Sequence, residues 1–158
     1  MEELRIKNCV LCGLPRPLNE VACAVCGCDE YEESSDSGSD LGGWLIAANR
    51  WRDAFALYED DVAHNRDNAG ACLRLAWLAS VVRDFRAVEV WAHEAQRLEP
   101  DAPGAHILLG LVLRSESRWE ECLAEFDAAL VRLTLGSRRH AVLTTLRGNA
   151  RSQLPAWW

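Results

Sequence analysis

The sequence predicts an all-α protein: a short solenoid of about three helix-turn-helix repeats and a capping helix, with a small cysteine-rich knuckle in front. Three observations predict it. Residues beyond Asp40 show helical spacing of apolar side chains and no run that alternates like a strand. Aromatic residues recur at Trp51, Phe85 and Trp119, a constant step of 34 residues. Five of the seven cysteines fall between Cys9 and Cys28.

The N-terminal segment contains Cys9-Val10-Leu11-Cys12-Gly13 and Cys23-Ala24-Val25-Cys26-Gly27. Two residues between thiols let the chain turn so that both sulfurs reach one ion. Glycine after the second cysteine accepts left-handed backbone without a Cβ clash. Four thiolates satisfy a tetrahedral zinc ion. Pro15, Pro17 and Asn19 are turn formers in the intervening loop. These paired Cys-x-x-Cys-Gly knuckles resemble the zinc-ribbon module over about residues 8–28, although Ala22 stands where an aromatic residue often precedes the third cysteine. The resemblance implies one structural Zn²⁺ on Cys9, Cys12, Cys23 and Cys26. Iron suits the same thiolates, and Cys28 is a fifth thiol that either replaces Cys26 or stays free. A closed four-thiolate site has no open position for a water nucleophile.

Residues 1–28 thus form the knuckle module. Residues 29–40, Asp29 to Asp40, are acidic and serine-rich with little to bury, and are expected to be an extended tether. Residues 1–40 carry three basic and nine acidic side chains, most of the net charge of −7. That balance repels phosphate and argues against a nucleic-acid surface. No apolar run approaches the roughly 18 residues of a membrane helix. The acidic start, Met1-Glu2-Glu3-Leu4-Arg5, is unlike a secretory leader. A cytoplasmic, bacterial protein is expected.

Residues 41–152 carry the array and its cap. Trp51-Arg52-Asp53-Ala54, Phe85-Arg86-Ala87-Val88 and Trp119-Glu120-Glu121-Cys122 align, as do Leu41-Gly42, Leu75-Ala76 and Leu109-Gly110. Ala54, Val88 and Cys122 are expected to face the small residue of the first helix, and Ala95 and Ala129 to pack on the next repeat. Leu98-Glu99-Pro100-Asp101 closes the middle repeat. This register resembles the tetratricopeptide repeat (TPR) over about residues 41–136. The first repeat is degenerate, with Gly42-Gly43 and with Asp61 at a small-residue site. Residues 137–152 read as a capping helix with Leu143 and Leu146 on its buried side. Cys72 and Cys122 read as small core residues.

The resemblance places the first helix of each repeat on the inner face. It implies a partner-binding strip of Leu73, Arg74, Trp77, Ser80 and Val81, continued by Ile107, Leu111 and Arg114. Some chaperone-binding arrays grip a peptide carboxylate with lysine and asparagines there; here leucine and tryptophan stand instead. An apolar strip bordered by arginine suits an amphipathic helix or an extended acidic peptide. Alternatively the linker or the capping helix covers it. In the tail, residues 153–158, Trp157 and Trp158 either fold back on the cap or dock on a partner.

The histidines lack ligand spacing, and no nucleophile–base set or phosphate-cradling loop is present. The function expected is therefore a non-catalytic adaptor or assembly subunit, binding protein partners through the groove and the knuckle. Two other readings stay open: a regulatory protein whose ribbon contacts nucleic acid, and a thiol-based redox or metal sensor.

Overall fold

The structure is a computed structural model that describes residues 7–13, 15, 22–23, 26, 28–33 and 41–157. The described residues form two short strands, β1 (Lys7–Cys9) and β2 (Tyr31–Glu33), and seven helices. The helices are α1 (Leu41–Ala47), α2 (Trp51–His64), α3 (Ala69–Val81), α4 (Phe85–Leu98), α5 (Pro103–Ser115), α6 (Trp119–Leu130) and α7 (Arg138–Arg151). Helices pair as α1–α2, α3–α4 and α5–α6, and α7 caps the stack.

The 34-residue period reappears in the backbone. Trp51, Phe85 and Trp119 each open the second helix of a pair. The preceding turns hold Asn49, Arg83 and Ser117 at positive φ, near 60°. Each turn closes alike: Arg50 N–H donates to Leu45 O, Asp84 N–H to Ala79 O and Arg118 N–H to Leu113 O. This is the left-handed helix stop that recovers orphan carbonyls, made here without glycine. Asp84 caps α4 by accepting from Ala87 N–H. At the matching sites, Arg50 and Arg118 instead pair with Asp53 and Glu121 on the first turns of α2 and α6.

The small-residue sites bring the helices of a pair together, but their partner lies one turn beyond the one expected. A Cβ on Gly42 would overlap the Tyr58 phenol, and one on Gly110 would overlap the Phe126 ring. The middle repeat places Ala76 and Ala92 at these positions, both fully buried. Glycine against an aromatic ring and alanine against alanine are two ways of filling one gap. Ala54, Val88 and Cys122 are buried nearby but are not the residues against which the glycines lie.

Helices α3 and α5 are apolar nearly all round. In α5, every residue from Gly104 to Leu113 is buried except His106. A helix with no polar stripe is covered on all sides. By contrast α4 turns Val88, Ala92 and Ala95 inward and the rest of its surface is largely polar.

The N-terminal strands are antiparallel, pairing Lys7 with Glu33, Asn8 with Glu32 and Cys9 with Tyr31. The acidic segment therefore does not begin as a free tether: its residues 31–33 close the knuckle. Three-residue strands are too short to hold together unaided. The remainder of the tether, residues 34–40, lies outside the described residues. No helix among the described residues is long and apolar enough to cross a membrane.

Candidate metal centre and its seat on the array

The four predicted ligands converge. The sulfurs of Cys9, Cys12, Cys23 and Cys26 all lie within 4.8 Å of one another, and all four residues are buried. Cys9 Sγ is 3.4 Å from Cys26 Sγ, and Cys12 Sγ is 3.5 Å from Cys23 Sγ. A tetrahedron with zinc–sulfur bonds of ~2.3 Å has edges of about 3.8 Å, so the spacing suits a metal ion and is far longer than a disulfide. None of the seven cysteines is in a disulfide.

Local backbone explains the convergence. Gly13 sits at φ +72°, as the knuckle requires, and its N–H donates to Cys9 O at 2.8 Å. Val10 N–H donates to Glu30 O, and Cys23 N–H to Cys28 O, so β2 and its lead-in tie both halves together. Burial pushes the Cys12 thiol well up. Four buried thiols that resist common ionisation suit a site in which a cation supplies the compensating charge.

Cys28 stands apart from this group. It is half-buried, its sulfur approaches Glu30 O at 3.7 Å, and burial raises its pKa. Together with Cys26, Glu30, Arg138, Val142 and Leu146 it lines a cleft of about 350 Å³ between knuckle and α7. Cys72 and Cys122 are fully buried in the array; burial pushes Cys122 up to about 11.

The knuckle is seated on the array. Arg74 of α3 donates from Nη1 to Gly13 O at 3.1 Å. Arg139 of α7 donates from Nε to Leu11 O at 2.7 Å. Arg138 reaches Glu30 at 2.9 Å. Leu11 and the four cysteines belong to the same continuous core as Trp77, Ile107 and Leu143. Burial lowers the pKa of Arg139, and the charges of Cys12 and Cys9 oppose that shift.

This seating changes the reading of the inner strip. Trp77 is only 1% exposed and Ile107 is fully buried, so neither faces a partner in this fold. The indole N–H of Trp77 has no acceptor among the described residues. Leu73 is half-buried and packs at Gly104, where a Cβ would strike it. Arg74 is engaged by the knuckle. The far end of the strip is different. Val81 and Leu111, with Ser80, Arg83, Phe85 and Leu108, line a cleft of about 240 Å³. Arg114 is half-buried beside it in sequence, near Cys122. Trp157 is 84% exposed, and Trp158 lies outside the described residues.

Sequence reasoning missed Arg139, Leu11 and the Tyr31–Glu33 strand. The one available signal was the lack of any polar stripe on α3 and α5, which implies a cover on the inner side.

No family model and no curated protein sequence matches the chain. Solved structures do match. Among them is the Arabidopsis OM64 TPR domain, with a TM-score of 0.62 and 19% identity over 72% of this chain and 90% of that one. At that identity the likeness carries the fold alone. The helical part of this chain has the tetratricopeptide-repeat fold, and a four-cysteine knuckle able to hold a metal ion precedes it.

Proposed function

We propose that the chain is a non-catalytic interaction subunit of a larger cytoplasmic complex, with one structural Zn²⁺ on Cys9, Cys12, Cys23 and Cys26. A TPR array supports protein partners. The observation that carries the reading further is the cleft left at one end of the inner strip. Val81 and Phe85 bring apolar surface to it, Ser80, Arg83 and Ser115 bring more polar surface, and Leu108 lies fully buried beneath. Arg83 stands at the same cleft with its guanidinium 5.3 Å from the Phe85 ring centroid. Such a cleft accepts a carboxylate at Arg83 and the serines, with a small apolar contact at Val81, on a helix or an extended segment. Arg114 and the exposed Trp157 offer further contacts. Nucleic acid is disfavoured because Asp29, Glu30 and Glu32 are exposed on the knuckle.

Native purification with mass spectrometry tests this. A protein recovered in fixed ratio, and lost on Val81→Glu or Trp157→Ala in folded chain, is the expected result. A bare monomer, or nucleic acid recovered alone, overturns it.

A further inference from the structure

Two of the three described hydrogen bonds between knuckle and array fall on one turn. Arg74 and Arg139 take the carbonyls of Gly13 and Leu11, the residues on either side of Cys12. They come from two helices, α3 and α7, with α4 to α6 between them in sequence. Both carbonyls are aimed by the turn that Gly13 closes onto Cys9. That same turn brings the sulfurs of Cys9 and Cys12 into one site. Among the described residues the knuckle's regular structure is two three-residue strands, which hold that shape weakly once metal is gone.

Electrostatics points the same way. Four thiolates around a divalent ion leave a net charge of about −2. Arg139 is half-buried, and the only hydrogen bond it makes among the described residues is to Leu11 O, a neutral carbonyl. A guanidinium in that position needs negative charge close by. On its knuckle side the charges that act on it are those of Cys12, Cys9 and Glu32. Outer-sphere donors of this kind orient ligands and strengthen the hold on metal.

We propose that Arg74 and Arg139 are positioning residues of the metal centre, and that metal loading and docking of the Leu11–Gly13 turn on α3 and α7 are a single coupled equilibrium. Metal loss releases that turn, with Leu11, from the core it shares with the array. Linkage makes the coupling reciprocal: whatever factor the clamp adds to metal affinity, metal adds to clamp formation. The inference rests on the zinc reading of the four cysteines, which native mass spectrometry of the full chain reports separately.

The test uses the full chain loaded with Zn²⁺, or with Co²⁺ as a spectroscopic stand-in. Metal transfer to a chelator is followed for the wild type, Arg139→Gln, Arg74→Gln and Arg139→Lys. The expected loss of affinity for Arg139→Gln is about tenfold or more. Arg74→Gln loses less, and Arg139→Lys recovers part by restoring charge. The cobalt–thiolate spectrum keeps its shape, because the four ligands are unchanged. Arg147→Gln, which removes an ion pair between α7 and Asp127 of α6, stays within about twofold. In parallel, hydrogen exchange compares loaded and chelated wild type, with faster exchange expected in α3 and α7 while the helical circular dichroism persists. Equal metal affinity in Arg139→Gln and wild type overturns the proposal, as does unchanged protection of α3 and α7 after metal removal. A chain that carries no metal in native mass spectrometry removes the zinc reading itself.

Discussion

Arg139 Nε donates to the carbonyl oxygen of Leu11 at 2.7 Å, joining α7 to the turn that follows β1 across 128 residues. Leu11 is fully buried at that contact. Leu11 and the knuckle cysteines share one hydrophobic cluster with the array, and several consequences can be measured.

Trp77 belongs to that core. Trp77→Ala should cost about 3–5 kcal/mol of stability in denaturant unfolding. Trp77→Phe should cost much less, because it keeps most of the ring and removes an indole N–H with no acceptor among the described residues. A Trp77→Ala chain of unchanged stability would show an open face instead.

Gly110 and Phe126 form a lock within the third repeat. Gly110→Ala should destabilise by about 1–3 kcal/mol, since its methyl meets the ring. Phe126→Ala alone leaves a cavity and should cost about 3–5 kcal/mol. Together they reproduce the Ala76–Ala92 arrangement of the middle repeat, so the double variant should lose clearly less than the sum. Strict additivity in the double-mutant cycle would refute the pairing.

Ser117 holds a left-handed conformation in an exposed turn. Ser117→Gly should raise stability by up to about 1 kcal/mol, visible as a higher Tm. A lower Tm would mean that the strain is relieved in a way this backbone does not show.

The cysteines should separate by role. Cys12→Ser should abolish stoichiometric metal in native mass spectrometry and lower the Tm, while Cys28→Ser does neither. In the loaded chain a thiol reagent at neutral pH should reach Cys28 before Cys72 or Cys122. The last two are fully buried, and the Cys122 thiol is pushed up to about 11. Early modification of Cys122 would contradict its place in the core.

Much of this arrangement was legible in residue spacing, for definite reasons. Trp51, Phe85 and Trp119 mark helix starts because each repeat packs its aromatic residue at the same corner. Cys9, Cys12, Cys23 and Cys26 converge because two-residue spacers and Gly13 shape the turn. Leu143 is buried in the cap as its spacing requires, with Leu146 half-buried beside it. What escaped was everything set by contact between distant parts. Tyr31-Glu32-Glu33 carries no apolar alternation, so its pairing with Lys7–Cys9 leaves no local mark. Trp77 and Ile107 read as a binding strip because a repeat pattern locates the inner face without saying what lies on it. Gly42 and Gly110 were matched to Ala54 and Cys122, one turn short of Tyr58 and Phe126, because alignment finds equivalent residues and not touching ones.

The most direct test of the central claim is thermal unfolding of the zinc-loaded chain beside a chain lacking residues 1–40. If knuckle and array share one core, truncation removes Leu11 and the knuckle cysteines from it, each large apolar side chain of a core being worth about 1.5–3 kcal/mol of burial. The Tm should then fall by about 10 °C or more, with a broader transition. An unchanged, cooperative transition in the truncated chain would contradict the account and restore two independent modules.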